Sequence, residues 1–401
     1  MLYARMTGRD PAEDHRASTP LELFFDLTFV VAIAQAASSL HHGLVDGDAK
    51  NALITFPLVF FAIFWAWVNF TWFASAYDTD DALYRINVLV QMTGVLILAA
   101  GIPRAFADQD FGILAGGYVV MRVAMVAQWL RVAYAIPDAR TMALRFAIGL
   151  TIVQLLWIAW LAVPDAAFVP VFLVLAVAEL ALPVWAESAA RTTWHPGHIA
   201  ERYGLFTIIV LGESVFAATV GVQQALDGDS SLGDLGPVVV GGLLIVFAMW
   251  WVYFDLPVER VIGRARERFD EHPSRAFVWG YLHYFVFGGA AAAGAGLSVA
   301  VDQATGHSEL TDFQAGLAIT VPVSAYLVAV WLLYFADKYP RALRNCGVPV
   351  AVVLILASSE TSEPVLATGA ILAVLVAVDI AARSRAAGND RVPAEGVRTD
   401  E

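Results

Sequence analysis

The sequence predicts an all-α fold: a polytopic transmembrane helical bundle of about 12 spans, arranged as a parallel 6+6 repeat. Three observations predict it. The chain is 59% hydrophobic and only 15% charged over 401 residues, where a soluble chain carries roughly a quarter charged residues. Its apolar residues come in membrane-length runs separated by short polar loops, as helices crossing roughly 30 Å of hydrocarbon require. Two of those runs, LELFFDLTFVVAIAQAASSL at 21–40 and ERYGLFTIIVLGESVFAATV at 201–220, match one another when Glu22 is set over Glu201. Runs such as 52–75 and 167–182 show no alternation of period two, which excludes a β-barrel.

Taken in order, the apolar runs place helices at about 21–40, 52–75, 84–103, 111–136, 143–163, 167–186, 202–224, 236–255, 276–301, 313–335, 341–358 and 364–382. Charge supports the count. With the N-terminus inside, all but four of the 24 basic residues fall on the cytoplasmic side. Lys50 and Arg104 lie in outer loops, and Arg122 and Arg131 lie within a span. This is the positive-inside bias of a cell (inner) membrane protein with both termini cytoplasmic. Residues 1–20 form a polar cytoplasmic segment, with the first span acting as an uncleaved signal anchor. The single cysteine, Cys346, allows no internal disulfide.

The likeness of the first and seventh spans extends to the second and eighth. FWAWVNF (64–70) resembles AMWWVYF (248–254), with Trp67 over Trp251 and Phe70 over Phe254. Six helices per unit is an even number, so both units enter from the same side. The expected units are 21–186 and 187–385. The second contains an amphipathic cytoplasmic helix at about 258–272, whose residues Val258, Val261, Ile262, Ala265 and Phe269 recur at helical spacing among arginines. A polar tail, 386–401, is expected to be disordered. The glycine-rich stretch GGAAAAGAG at 288–296 reads as close helix packing.

Charges inside the spans are the candidate functional residues, because an ionised side chain at a helix centre costs roughly 2.5–3.5 kcal/mol on translocon scales. Glu22 and Asp26 share one helix face about a turn inside the membrane. Glu22 alone would suit the helix dipole; Asp26 is deeper, with Arg85 or Arg131 as candidate partner. Arg122, Glu179, Glu213 and His283 lie more centrally. One reading is a buried ion pair, Arg122 with Glu179 or Glu213. The other is a polar cavity in which Glu213 carries a proton, His283 relays it and Arg122 is the counter-charge. Glu201 and Arg202 open the seventh span. His195 and His198, in WHPGHIAER, have a His-x-x-His spacing that makes them weak metal candidates with Glu201 as third ligand; Pro196 and Gly197 favour a turn instead.

The quoted segments resemble the low-temperature-requirement A (LtrA) family of bacterial membrane proteins. PLELFFDLTFVVAIAQ at 20–35 is similar to its N-terminal signature, and ERYGLFTIIVLGES at 201–214 to its second. Tyr203 stands for the usual phenylalanine and Thr28 for a usual valine. Glu22, Asp26, Glu201, Arg202, Gly204, Gly212 and Glu213 match the motifs; the resemblance implies a membrane bundle and no transferable activity.

The leading functional expectation is a proton- or cation-coupled secondary transporter of a small molecule or ion, not an enzyme, with no cofactor. No nucleotide-binding motif is present for an ATP-driven pump. Membrane lipids are the expected surroundings, nucleic acid is not a partner, and self-association is compatible with the sequence. The alternatives are a membrane-embedded enzyme or sensor acting on a lipid-soluble ligand, and a structural adaptor tuned to bilayer fluidity.

Overall fold

The computed structural model describes residues 4–10, 13, 16–227, 232–255, 273–334 and 346–389, and these contain helices and no strand. The helices are α1 (Pro20–Val45), α2 (Ala49–Tyr77), α3 (Ala82–Ala107), α4 (Gly112–Ala135), α5 (Arg140–Trp160) and α6 (Asp165–Glu187). They continue as α7 (Pro196–Asp227), α8 (Leu232–Phe254), α9 (Pro273–Ala304), α10 (Asp312–Tyr334), α11 (Val348–Ala357) and α12 (Pro364–Asn389). Eleven are long and apolar enough to cross a membrane. The exception is α11, which with its 3-10 extension covers Val348–Glu360, about 20 Å of rise. The predicted amphipathic helix at 258–272 lies outside the described residues. Helix α12 continues to Asn389, so the predicted tail is helical over its first four residues.

Local chemistry fixes several helix starts. Thr19 caps α1 in a reciprocal capping box: its hydroxyl accepts the Glu22 N–H at 3.3 Å, and the Glu22 carboxylate accepts the Thr19 N–H at 2.8 Å, with Pro20 in the first turn. Asp81 caps α3 by accepting the Tyr84 N–H at 2.8 Å. His195 opens α7 in the same way, its Nδ1 accepting the His198 N–H at 3.1 Å.

Within 20–187, α1 packs on α2 and α3, α3 on α4, α4 on α5 and α5 on α6. In the remainder, α7 packs on α8 and α9, α9 on α10, α10 on α11 and α11 on α12, while α12 also closes onto α8. Contacts of α1 with α7 and α9, and of α2 with α7 and α9, join the two sets. Helix α9 is the most enclosed span, with 78% of its apolar window buried against 28% for α6. Outward-facing Val123, Val174, Phe247 and Val353 are more than half exposed, as lipid-facing side chains are.

Glycines set the closest helix crossings. A Cβ on Gly94 would stand 2.7 Å from the Gly117 carbonyl oxygen, and one on Gly101 would stand 2.5 Å from the Leu114 nitrogen, so α3 and α4 meet backbone to backbone. In the second set, a Cβ on Gly289 would stand 3.0 Å from the Pro322 carbonyl oxygen, and one on Gly296 closer still to that of Ala318. The packing expectation for 288–296 is therefore met. Gly296→Ala is expected to force α9 and α10 apart and to destabilise by about 1–3 kcal/mol, the usual cost of overpacking. Chemical unfolding of the detergent-solubilised protein measures it; an unchanged midpoint would show that the crossing is loose.

The N-terminal segment folds over the face at which α1 begins. The backbone N–H of Arg9 donates to the Ala76 carbonyl at 2.9 Å, and Met6 is fully buried. Arg16 donates to the Ala74 and Ser75 carbonyls, satisfying the C-terminal end of α2 as a cation there should.

Candidate functional site

Two helix faces of opposite charge meet beneath this segment. Glu22 and Asp26 are four apart on α1, and His198 and Arg202 are four apart on α7, so each pair occupies one face. The Arg202 guanidinium bridges both carboxylates, with Nη1 3.2 Å from Glu22 Oε1 and Nη2 2.5 Å from Asp26 Oδ1. His198 Nε2 lies 3.2 Å from Glu22 Oε1, and Arg16 Nη2 approaches the same oxygen at 3.8 Å. Trp67 of α2 donates its indole N–H to Asp26 Oδ1 at 2.7 Å, and Thr71 stands 3.5 Å from Arg202. Glu22, Asp26, His198 and Arg202 are each 1% exposed or less.

Burial in such a setting strengthens every charge interaction and penalises every unpaired one. The surround is aromatic: Phe25 stacks on Phe70 with centroids 3.6 Å apart, and Trp67 stacks on Phe206 at 4.3 Å. Two carboxylates face two arginines, so the cluster balances with His198 neutral. It is nevertheless incompletely hydrogen-bonded. Asp26 Oδ2, His198 Nδ1 and Arg202 Nε are buried and make no hydrogen bond among the described residues.

The partner expected for Asp26 is corrected here. Arg85 pairs with Asp80 at 2.8 Å on the surface, and Arg131 pairs with Asp81. Asp26 takes Arg202, from the other set of helices, because α1 and α7 pack directly. Sequence reading missed His198, Arg16, Trp67 and Thr71 as members of the cluster. The readable signal was the matching i, i+4 spacing of His198 and Arg202 to that of Glu22 and Asp26.

Asp81 anchors the N-terminal segment from outside the spans. It receives both Arg131 terminal nitrogens and the Ala4 N–H at 2.8 Å, while Arg131 also donates to the Ala4 carbonyl at 2.9 Å. Burial alone would raise the Asp81 carboxyl, but the hydrogen bonds from Arg131, Ala4 and Tyr84 outweigh it and hold the value down at about 2. The tether therefore stays charged at any ordinary pH.

The central charges separate into different environments. Arg122 Nη2 pairs with Glu179 Oε1 at 2.8 Å, inside the first six helices. Glu179 also accepts from the Trp65 and Trp157 indoles at 2.7 and 3.1 Å, and Arg122 donates to the Tyr118 hydroxyl at 2.9 Å. Arg122 is thus the counter-charge of Glu179 and not of Glu213. His283 is a fully buried imidazole whose Nδ1 meets the Trp279 carbonyl at 2.8 Å and whose Nε2 meets the Tyr253 hydroxyl at 3.0 Å. Glu213 packs beside Gly294, eleven residues and about 16 Å along α9 from His283, so the two do not form a relay. Glu213 is half-buried and makes no ion pair among the described residues.

Glu201 stays apart from the buried cluster, accepting the Ser18 N–H at 3.3 Å. His195 has both ring nitrogens engaged, Nδ1 as the α7 cap and Nε2 at 2.7 Å from the Glu13 carbonyl. The His-x-x-His spacing is accordingly a capping geometry that sends His198 to Glu22. No group of three or more His, Cys, Asp or Glu suited to a metal occurs among the described residues.

Comparison with known proteins agrees with this architecture. A protein of Rhizobium meliloti (strain 1021), itself described as uncharacterized, is 29% identical over 295 residues, covering 70% of this chain and 68% of its own length. The sequence profile of the bacterial low temperature requirement A proteins matches residues 17–382, from just before the α1 cap to within α12. That match takes in both charged helix faces, and the chain belongs to the bacterial low temperature requirement A (LtrA) family.

Proposed function

We propose that this protein is a proton- or cation-coupled secondary transporter of the cell membrane, with both termini cytoplasmic. The observation that carries the reading is Glu213, a half-buried membrane carboxylate with no ion pair among the described residues. Intramembrane carboxylates of that kind are commonly proton or ion carriers. Glu213 shares α7 with His198 and Arg202, about 18 Å from Glu201 along the helix. A proton or ion at Glu213 and a rearrangement of the buried cluster would therefore act on one rigid element. Incomplete hydrogen bonding within that cluster favours the same reading, since a purely structural staple gains from satisfying every atom.

The parallel 6+6 arrangement is part of the proposal. The order of packing from α1 to α4 recurs from α7 to α10, and the close crossings use glycines seven apart in each set, Gly94 with Gly101 and Gly289 with Gly296. Against it, Trp67 is buried on Asp26, whereas Trp251 is 39% exposed. The proposed repeat has diverged at the site.

The test is flux in proteoliposomes under an imposed pH or cation gradient, read with an internal dye. Flux above empty vesicles that Glu213→Gln reduces at least tenfold, at unchanged thermal midpoint, is the expected result. Normal flux in that variant would remove Glu213 from the mechanism.

One observation favours a second reading, a sensor or enzyme for a lipid-soluble ligand. An aromatic cleft between α2, α4, α5 and α6 is lined by Phe61, Tyr118, Trp157, Trp160 and Phe172, and also by Gln154. Both polar side-chain atoms of Gln154 are buried without a hydrogen bond.

A further inference from the structure

A second cleft lies between α2, α4, α5, α6 and α9 near the N-terminal face. Its walls are aromatic: Trp65, Trp72 and Phe73 of α2, Trp129 of α4, Phe146 of α5, and Phe277 and Tyr281 of α9. Glu187, Thr192 and Asn69 supply its polar lining. None of these was a candidate from the sequence, except through the helices that carry them.

Most hydrogen-bonding edges of the lining are spent elsewhere. Trp65 donates to Glu179 at 2.7 Å, Trp72 to the Tyr203 hydroxyl at 3.1 Å, and Tyr281 to the Leu180 carbonyl at 3.0 Å. The Asn69 amide donates to the Trp65 carbonyl at 2.6 Å, and the Thr192 hydroxyl donates to Glu187. Beside the Trp129 indole and the Asn69 side-chain oxygen, what remains is ring surface and one carboxylate. The wall rings pack on one another: Trp72 stacks on Phe277 at 5.7 Å, Trp129 stacks on Phe146 at 4.1 Å, and Trp65 meets Tyr281 edge-on at 5.4 Å.

Glu187 is out of place as a structural residue. It ends α6, where the helix dipole disfavours an anion, and no basic residue shares that last turn. It makes no ion pair among the described residues, and the nearby Arg191 is exposed. Thr192 gives Glu187 a neutral donor but no counter-charge, and a local rule broken without charge compensation points to a cationic ligand. Aromatic faces around a carboxylate, with donors turned away, recognise a cation that needs no hydrogen-bond acceptor.

We propose that this cleft binds a quaternary or alkylated ammonium group, held by Glu187 and by the faces of the surrounding aromatic residues. The cation is either a free small molecule or the head group of a lipid. Helix α2 ties the cleft to the buried cluster: Trp65, Val68, Asn69, Trp72 and Phe73 line the cleft, while Trp67 and Thr71 face Asp26 and Arg202. The site is proposed independently of transport, and its test is binding alone.

The experiment is calorimetric titration of the purified protein in maltoside detergent with choline and with its neutral isostere 3,3-dimethylbutan-1-ol. A parallel arm uses native mass spectrometry after incubation with phosphatidylcholine or phosphatidylglycerol. Choline is expected to bind and the isostere not. Glu187→Gln should weaken binding at least tenfold and Phe277→Leu several-fold, with thermal midpoints showing that both variants fold. Retention of phosphatidylcholine alone, lost in Glu187→Gln, would assign the cation to a lipid head group and support the proposal. Absence of binding in both arms, equal binding of the isostere, or binding indifferent to Glu187→Gln would overturn it.

Discussion

Arg202→Met is expected to destabilise the protein by about 3–5 kcal/mol, the range for breaking a buried ion pair from one side. The guanidinium is fully buried and bridges Glu22 and Asp26. Without it, Glu22 keeps Arg16 and His198, but Asp26 keeps a single neutral donor, the Trp67 indole. Asp26→Leu in the same background removes the stranded anion, so the double variant should regain most of the loss. Recovery should be incomplete, because the Trp67 N–H then lacks its acceptor, at about 1–3 kcal/mol. Unfolding midpoints of the two single variants and the double variant in detergent give the coupling directly. Additive losses would mean that Arg202 and Asp26 do not act as a pair. Because α1 and α7 belong to different six-helix sets, this pair also tests how the sets are held together.

Much of the fold was readable because membrane spans are set by length and apolarity, which a sequence displays directly. The helix at 364–382 and the packing role of 288–296 are examples. At 341–358 the described helix is ten residues long and by itself too short to span, and 341–345 lie outside the described residues. Glu22, Asp26 and Arg202 stood out as costly charges, but their pairing did not. Which charge meets which depends on the order of helices in the bundle, and here α1 packs on α7 and not against the basic residues of the connecting turns. Arg85 and Arg131 were plausible partners by depth, yet Asp80 and Asp81 at the start of α3 are nearer to each. Glu187 was invisible for a related reason. Its significance comes from aromatic residues on four other helices, spread over more than 200 positions of the chain. The His195 spacing misled because a capping imidazole and a metal-ligating pair can share the same interval.

Glu179→Leu is expected to cost about as much as Arg202→Met, about 3–5 kcal/mol, for the opposite reason: it strands a cation. Arg122 is 4% exposed and would keep only the Tyr118 hydroxyl, over whose ring it lies at 4.8 Å. The Trp65 and Trp157 indoles would lose their shared acceptor at the same time. Glu179→Gln keeps an oxygen for these donors but not the charge, so its loss should fall between wild type and Glu179→Leu. Arg122→Leu combined with Glu179→Leu should be less damaging than Glu179→Leu alone. Denaturation midpoints order the four proteins; a double variant no better than the single one would show that the indole contacts, and not the ion pair, dominate. The same variants separate stability from function. The Arg122 and Glu179 pair lies wholly within the first six helices, whereas Glu213 and the Arg202 cluster sit on the helix that joins the two sets. Glu179→Gln should therefore lower the midpoint yet retain flux, while Glu213→Gln does the reverse. That crossed outcome is one that a merely structural role for every buried charge cannot produce.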